Sequence, residues 1–169
     1  VKGFEAEASY TPGKRFDFGA NLTYQDIRRV DIKESIYKSL EGSRVPNVPY
    51  LFGNFWLNTH FSNVFRTGDN LSFNWSANYT HRFFLKAIPK NQEPSLFGKV
   101  KDFQTSLIIP RDGRLGQFSN NAGIYYHFSE SRLTISAECR NITNVRLYDN
   151  FNVQKPGRSC HVKLVYQIF

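Results

Sequence analysis

The chain has 169 residues, with 22 Lys and Arg against 14 Asp and Glu for a formal net charge of +8, and 16% of its residues are Phe, Tyr or Trp. No uninterrupted apolar run exceeds three residues, so a membrane-spanning helix, which needs about 20, is excluded. Two cysteines are too few for a disulfide scaffold, and the length suits one domain of about 150 residues.

The dominant periodicity is two. In 2–10 the even positions are Lys2, Phe4, Ala6, Ala8 and Tyr10, opposite Glu5, Glu7 and Ser9. After Thr11-Pro12-Gly13-Lys14, a tight turn, 16–24 sets Phe16, Phe18, Ala20, Leu22 and Tyr24 against Asp17, Gly19, Asn21 and Thr23. Residues 31–47 read as a long charged loop. In 49–61, Leu51, Phe55, Leu57 and Phe61 suit an apolar face, while Phe52 and Trp56 spoil the polar one. A shorter turn, 62–70, leads to the cleanest alternation: Leu71, Phe73, Trp75, Ala77 and Tyr79 interleaved with Ser72, Asn74, Ser76 and Asn78. A very long loop with Pro89, Pro94 and Pro110 spans 87–115. Strands then follow at 117–128, 133–140 and 159–168, joined by the tight Ser129-Glu130-Ser131-Arg132 and the long 142–157.

Strict alternation predicts strands with two unlike faces. Seven such segments, joined alternately by short and long connections, predict an all-β fold: an antiparallel transmembrane β-barrel segment with short periplasmic turns and long extracellular loops. A soluble antiparallel sheet alternates too. Three features favour the barrel. The segments are long, roughly ten to fifteen residues against a soluble mode of about five or six. Aromatics gather near segment ends (Tyr10, Phe16, Tyr24, Tyr79, Phe83, Tyr126, Phe128, Tyr166), as an interfacial girdle requires. The polar face is rich in Asn, Ser, Thr and Gln, which suits a wet lumen. Bacterial single-chain barrels have even strand numbers, and an odd set of seven leaves both edges unpaired in lipid. The expectation is therefore that 1–169 is the C-terminal portion of a larger barrel.

The tail carries a motif. Arg140-Asn141-Ile142-Thr143-Asn144 precedes the Tyr148-Asp149-Asn150-Phe151 loop, then Pro156-Gly157-Arg158, then a last strand ending Tyr166-Gln167-Ile168-Phe169. This resembles the C-terminus of TonB-dependent outer-membrane receptors. The resemblance implies a barrel of about 22 strands around a plug, of which seven strands are the last third. It implies that the plug, the TonB-contacting segment and the earlier strands lie outside this chain. It further implies an outer-membrane receptor importing a scarce ligand such as an iron chelate, cobalamin or a glycan, with TonB reached through the N-terminal part. In that family a terminal Phe helps the barrel-assembly machinery recognise the last strand, a role that falls on Phe169 with Tyr166. Tyr166 stands fourth from the end where the family pattern has it third, so Phe169 is out of phase with Val162, Leu164 and Tyr166.

No catalytic constellation, metal spacing or phosphate loop is present, and no cofactor is expected. His60, His81, His127 and His161 are far apart. Five Asn-x-Ser/Thr sequons (Asn21, Asn70, Asn74, Asn78, Asn141) are by-products of alternation. The cations spread over the predicted extracellular loops rather than forming one stripe. They suit lipopolysaccharide phosphates or an anionic ligand better than nucleic acid. Long loops carry function disproportionately, so the ligand-contact candidates are Arg111 and Arg114 at the end of the longest loop and Tyr148, Asn150 and Phe151 in the last. Glu138, Arg140, His161 and Lys163 are expected to face one another as ordinary cross-strand pairs. Cys139 and Cys160 fall near each other on the lipid side. The periplasm permits a disulfide, but cross-strand geometry strains one, and two unbonded small hydrophobes are the favoured reading. The alternatives to a transport receptor are a structural or adhesive outer-membrane barrel without transport, and a soluble β protein that binds an acidic partner.

Overall fold

The computed structural model describes residues 1–168; Phe169, the expected assembly signal, lies outside the described residues. Among the described residues nine strands follow in chain order: β1 (Lys2–Tyr10), β2 (Phe16–Asp26), β3 (Leu51–Ser62), β4 (Asn70–His81), β5 (Phe83–Phe84), β6 (Ile108–Ile109), β7 (Gly116–Phe128), β8 (Leu133–Arg140) and β9 (Ser159–Tyr166). Seven form one antiparallel sheet in the order β1-β2-β3-β4-β7-β8-β9, so each long strand pairs with its neighbour in sequence. These strands are eight to thirteen residues long, close to the roughly 9–11 residues that cross a bilayer when tilted. All seven alternating segments of the sequence are strands of this sheet. β1 and β9 are its edges and are exposed throughout.

The register aligns the apolar sets into one face. Phe18 sits opposite Tyr10 and Leu57, Phe55 opposite Ala20 and Ala77, and Trp75 opposite Leu57 and Ala122. Farther along, Ile124 pairs with Phe73 and Ala137, and Ala137 with Val162. A slip of one residue anywhere would turn that strand's apolar set to the wrong side, so the pattern itself fixes the pairing. Phe4–Tyr24, Phe16–Phe61 and Phe55–Trp75 are ring pairs across strands, with centroids 5.8, 6.3 and 5.3 Å apart. Such pairs add about 0.5–1.5 kcal/mol beyond burial.

The opposite face is amide and hydroxyl. Asn21, Asn54, Asn78 and Ser119 stand in one cross-strand row, and Asn58 pairs with Asn74. Phe52 and Trp56 lie on this polar face. Trp56 stands opposite Gly19, where an added Cβ would collide with the indole ring. The missing side chain lets the indole lie over the neighbouring strand.

Short and long connections fall at opposite ends. The short turns are 11–15, 63–69 and 129–132, and the long connections are 27–50, 82–115 and 141–158. Gly13 takes φ 73° in the first turn, a conformation that glycine adopts at no steric cost. Two short turns are laced together: Asp69 accepts hydrogen bonds from the Tyr126 hydroxyl (2.6 Å) and the Ser129 backbone N–H (3.0 Å), and Arg66 pairs with Glu130 at 2.9 Å.

The long connections are built rather than slack, contrary to the plain loops that their proline content suggests. They hold 3-10 turns at Ser35–Leu40, Lys90–Gln92 and Asp102–Leu107, and the small β5–β6 sheet. Apart from Ala77, the buried apolar side chains among the described residues all belong to these connections: Tyr50, Phe83, Phe84, Ile88, Ile108 and Ile109. Phe83, expected in the aromatic girdle, is instead 1% exposed within this loop core. The sheet faces thus hold almost no enclosed core, as suits a wall whose apolar side meets lipid.

Cys139 and Cys160 occupy directly opposite positions on β8 and β9 and form a disulfide. This corrects the expectation of two free hydrophobes: the register brings the two Cα atoms to 4.0 Å, the close approach found at a non-hydrogen-bonded pair.

Candidate functional site

The polar face and the long connections together enclose a cavity of about 650 Å³ at the loop end of the sheet. Its strand residues include Gln25, Phe52, Asn54, Asn78, Thr80, Gln117 and Ser119, and its loop residues include Asn47, Tyr148, Asn150 and Lys155. Two glutamines at the loop ends of their strands hold the rim. Gln25 Nε2 donates to the Pro49 carbonyl at 2.8 Å. Gln117, 7% exposed, donates from Nε2 to the Tyr148 carbonyl (3.1 Å) and accepts the Tyr148 N–H at Oε1 (2.5 Å). One side-chain amide therefore pairs with both the N–H and the carbonyl of one residue and ties the 141–158 connection to the cavity wall.

A second cavity of about 320 Å³ lies farther from the loops, against Trp56, Asn58, Asn74, Asn121, Tyr125, Glu138 and Arg140. Here Asn121 Nδ2 donates to Ser76 Oγ (3.1 Å), Asn58 Nδ2 to Asp17 (3.0 Å), and the Tyr125 hydroxyl to Glu138 (2.7 Å). His161 Nε2 lies 3.2 Å from the other Glu138 oxygen. Glu138 faces His161 in register, whereas Arg140 faces Ser159 and Lys163 faces Ser136. Of the four residues expected to pair across these strands, only Glu138 and His161 stand opposite each other, and Arg140 and Lys163 each face a serine.

The connections are clamped to one another electrostatically. Arg28 reaches Asp26 at 2.8 Å and Glu93 at 3.3 Å, and the Arg44 backbone N–H donates to Glu93 at 2.6 Å. The Arg44 guanidinium stands 3.8 Å from the centre of the Tyr50 ring, a cation–π contact. Burial works against the Arg28 charge, but its hydrogen bond to Asp26 and the Asp26 and Glu93 charges outweigh that and raise its pKa. Beneath the clamp, Arg82 is 2% exposed and donates to the carbonyls of Ser95, Leu96 and Gly98. His81 Nε2 donates to the Leu96 carbonyl at 2.8 Å, and Nδ1 shares a hydrogen bond with the Tyr79 hydroxyl at 2.6 Å.

Net charge is segregated by end. The connections 27–50, 82–115 and 141–158 contain 15 Lys and Arg against 7 Asp and Glu, and the rest of the chain balances 7 against 7. All of the +8 therefore belongs to the long-loop end. Little of it lines the mouth cavity, where Lys155 is the one charged lining residue among those described.

Of the sequence candidates, Tyr148 and Asn150 line the mouth cavity. Arg111 and Arg114 are exposed outside it, and Arg114 is held by Asp112, whose hydrogen bond raises the Arg114 pKa. Phe151 is 80% exposed. Tyr166 lies on the apolar face opposite Leu133, 66% exposed. Gln25, Gln117, Asn54 and Lys155 escaped sequence reasoning because isolated polar residues on an alternating strand carry no motif. Phe52 and Trp56 did leave a signal, as the two rings out of phase.

Residues 1–142 match the family described as TonB dependent receptor-like, beta-barrel. The match ends before most of the tail whose motif resembles such receptors, so the two likenesses rest largely on different residues. No curated protein and no solved structure matches the chain.

Proposed function

The chain belongs to the TonB-dependent receptor β-barrel family, and on that premise we propose that it is the C-terminal wall of an outer-membrane importer for a scarce ligand: an iron chelate, cobalamin or a glycan. Members of the family are outer-membrane transporters rather than enzymes. The observation that carries the reading is the two-faced sheet: one continuous apolar face, one amide-rich face, and structured connections gathered at a single end. An apolar outer side allows contact with lipid, and a polar inner side allows passage of a water-soluble ligand.

In this reading a plug and a TonB-contacting segment precede Val1, and the long connections face the medium. Their surplus cations meet lipopolysaccharide phosphates. Phe169, with Tyr166, serves the barrel-assembly machinery as the terminal-strand signal. The test is made on the intact receptor. Density-gradient fractionation should place it in the outer membrane, and uptake of its ligand should require both the receptor and TonB. Uptake that persists without TonB would refute the importer reading. Deleting Phe169 should lower the amount inserted in the outer membrane; equal insertion would remove the signal role.

A further inference from the structure

The two aromatic rings on the polar face stand in a regular setting. Phe52, Asn54, Trp56 and Asn58 alternate ring and amide along one face of β3. Phe52 and Trp56 are four residues apart, about 13 Å at a strand's rise per residue. Their cross-strand neighbours are small: Thr23 and Thr80 beside Phe52, Gly19 and Ser76 beside Trp56. No bulky neighbour in register covers either ring. Phe52 opens on the mouth cavity and Trp56 on the deeper one, so the row runs from one to the other.

The chemistry of the row is selective. Asn54 donates one N–H to Asn21 Oδ1 at 3.0 Å, which leaves its own oxygen and second N–H without a protein partner among the described residues. A side-chain amide offers a donor and an acceptor side by side, the same pairing that vicinal hydroxyls present. A flat ring offers an apolar platform for the C–H face of a pyranose. An apolar ligand would strand the amides unpaired at a desolvation cost. An anionic ligand would need several cations aimed inward, yet Lys155 is the one cation lining the mouth cavity and Arg140, together with Glu138, the one lining the deeper cavity among the described residues, while Arg28 and Arg44 are engaged by Asp26 and Glu93 and Arg114 by Asp112.

We propose that the mouth cavity and the β3 ring–amide row beneath it bind an uncharged oligosaccharide, with Phe52 and Trp56 as successive stacking platforms and Asn54 as the hydrogen-bonding group between them. The spacing of the rings exceeds one sugar unit, so the ligand is a chain of several. This rests on the importer reading and narrows its ligand to the glycan class.

The test is calorimetric titration of the intact receptor in detergent with maltohexaose, cellohexaose and chitohexaose, and with ferric citrate and cyanocobalamin as comparators. Saturable binding of at least one hexasaccharide is expected. It should weaken about tenfold in Phe52→Ala, from one lost ring contact, and also in Asn54→Ala, which leaves the packing intact. Phe55→Ala, a ring on the apolar face, should bind as the parent does. Heat-modifiable migration confirms that each variant is folded. No saturable binding by any hexasaccharide overturns the proposal, as does binding that both Phe52→Ala and Asn54→Ala leave unchanged. Binding of ferric citrate or cyanocobalamin alone overturns the sugar assignment and leaves the importer reading standing. Hexasaccharide binding in a receptor that transports nothing refutes the importer reading but not the site.

Discussion

Gln117 gives the sharpest test of how the mouth cavity is held. Its amide is the buried partner of both the N–H and the carbonyl of Tyr148. Replacing it with Ala removes both partners at once. A buried polar group left unsatisfied costs about 1–3 kcal/mol, and the adjoining cavity admits water that offsets part of the second loss. We therefore expect the 141–158 connection to open more easily by about 1–3 kcal/mol, or roughly 5- to 150-fold in its opening equilibrium. Hydrogen exchange with mass spectrometry on the intact receptor reads this directly. Exchange in a peptide spanning 145–151 should accelerate by that factor in Gln117→Ala, while β3 and β4 amides keep their parent rates. Acceleration below about twofold would refute the clamp, because one amide that holds a loop cannot be removed at no cost. Equal acceleration throughout the sheet would mean that the substitution destabilised the barrel instead.

Three further outcomes follow from the two faces and the turns. Ile124→Arg on the apolar face should destabilise the folded barrel by about 2–4 kcal/mol in a denaturant titration in lipid, while Asn54→Arg on the polar face should cost far less; similar losses at both would refute the assignment of faces. Replacing Cys139 and Cys160 by Ser should cost about 3 kcal/mol, the chain-entropy value for their separation of 21 residues. A maleimide should label the parent only after reduction. Asp69 in the 63–69 turn has its carboxyl held below its ordinary value of 3.8 by the Tyr126 hydroxyl and the Ser129 N–H. Its contribution is present above the unfolded value and lost as pH falls through the lower folded one, so Asp69→Asn should flatten the loss of thermal stability on acidification below about pH 4. An acid limb as steep as the parent's would refute this.

The sheet was legible because alternation is a global constraint. Each long strand must present apolar and polar sets to opposite sides, so Leu71 to Tyr79 could be read without any partner. Strand ends were less legible. Asn70 and His81 extend β4 beyond the alternating run because their pairing comes from His127 and Gly116, residues far along the chain. Two-residue strands such as β5 and β6 are too short to show a period, and the prolines around them point to loop. The burial of Arg82 and Gln104 was invisible for a different reason. Their partners are carbonyls of the same connection, a backbone property that side-chain identity does not report. The disulfide was misjudged on geometry: the register that set Cys139 opposite Cys160 was read correctly, and the closeness of that pair was not.

The Cys139–Cys160 bond spans the foot of the 141–158 connection, whose Phe151 stands exposed at the loop end. A protease that cuts beside Phe151 would sever the main chain, yet β9 would stay covalently tied to β8. Damage to the most exposed part of the last connection would then leave the barrel wall whole, and the break would show as a shorter chain only after reduction.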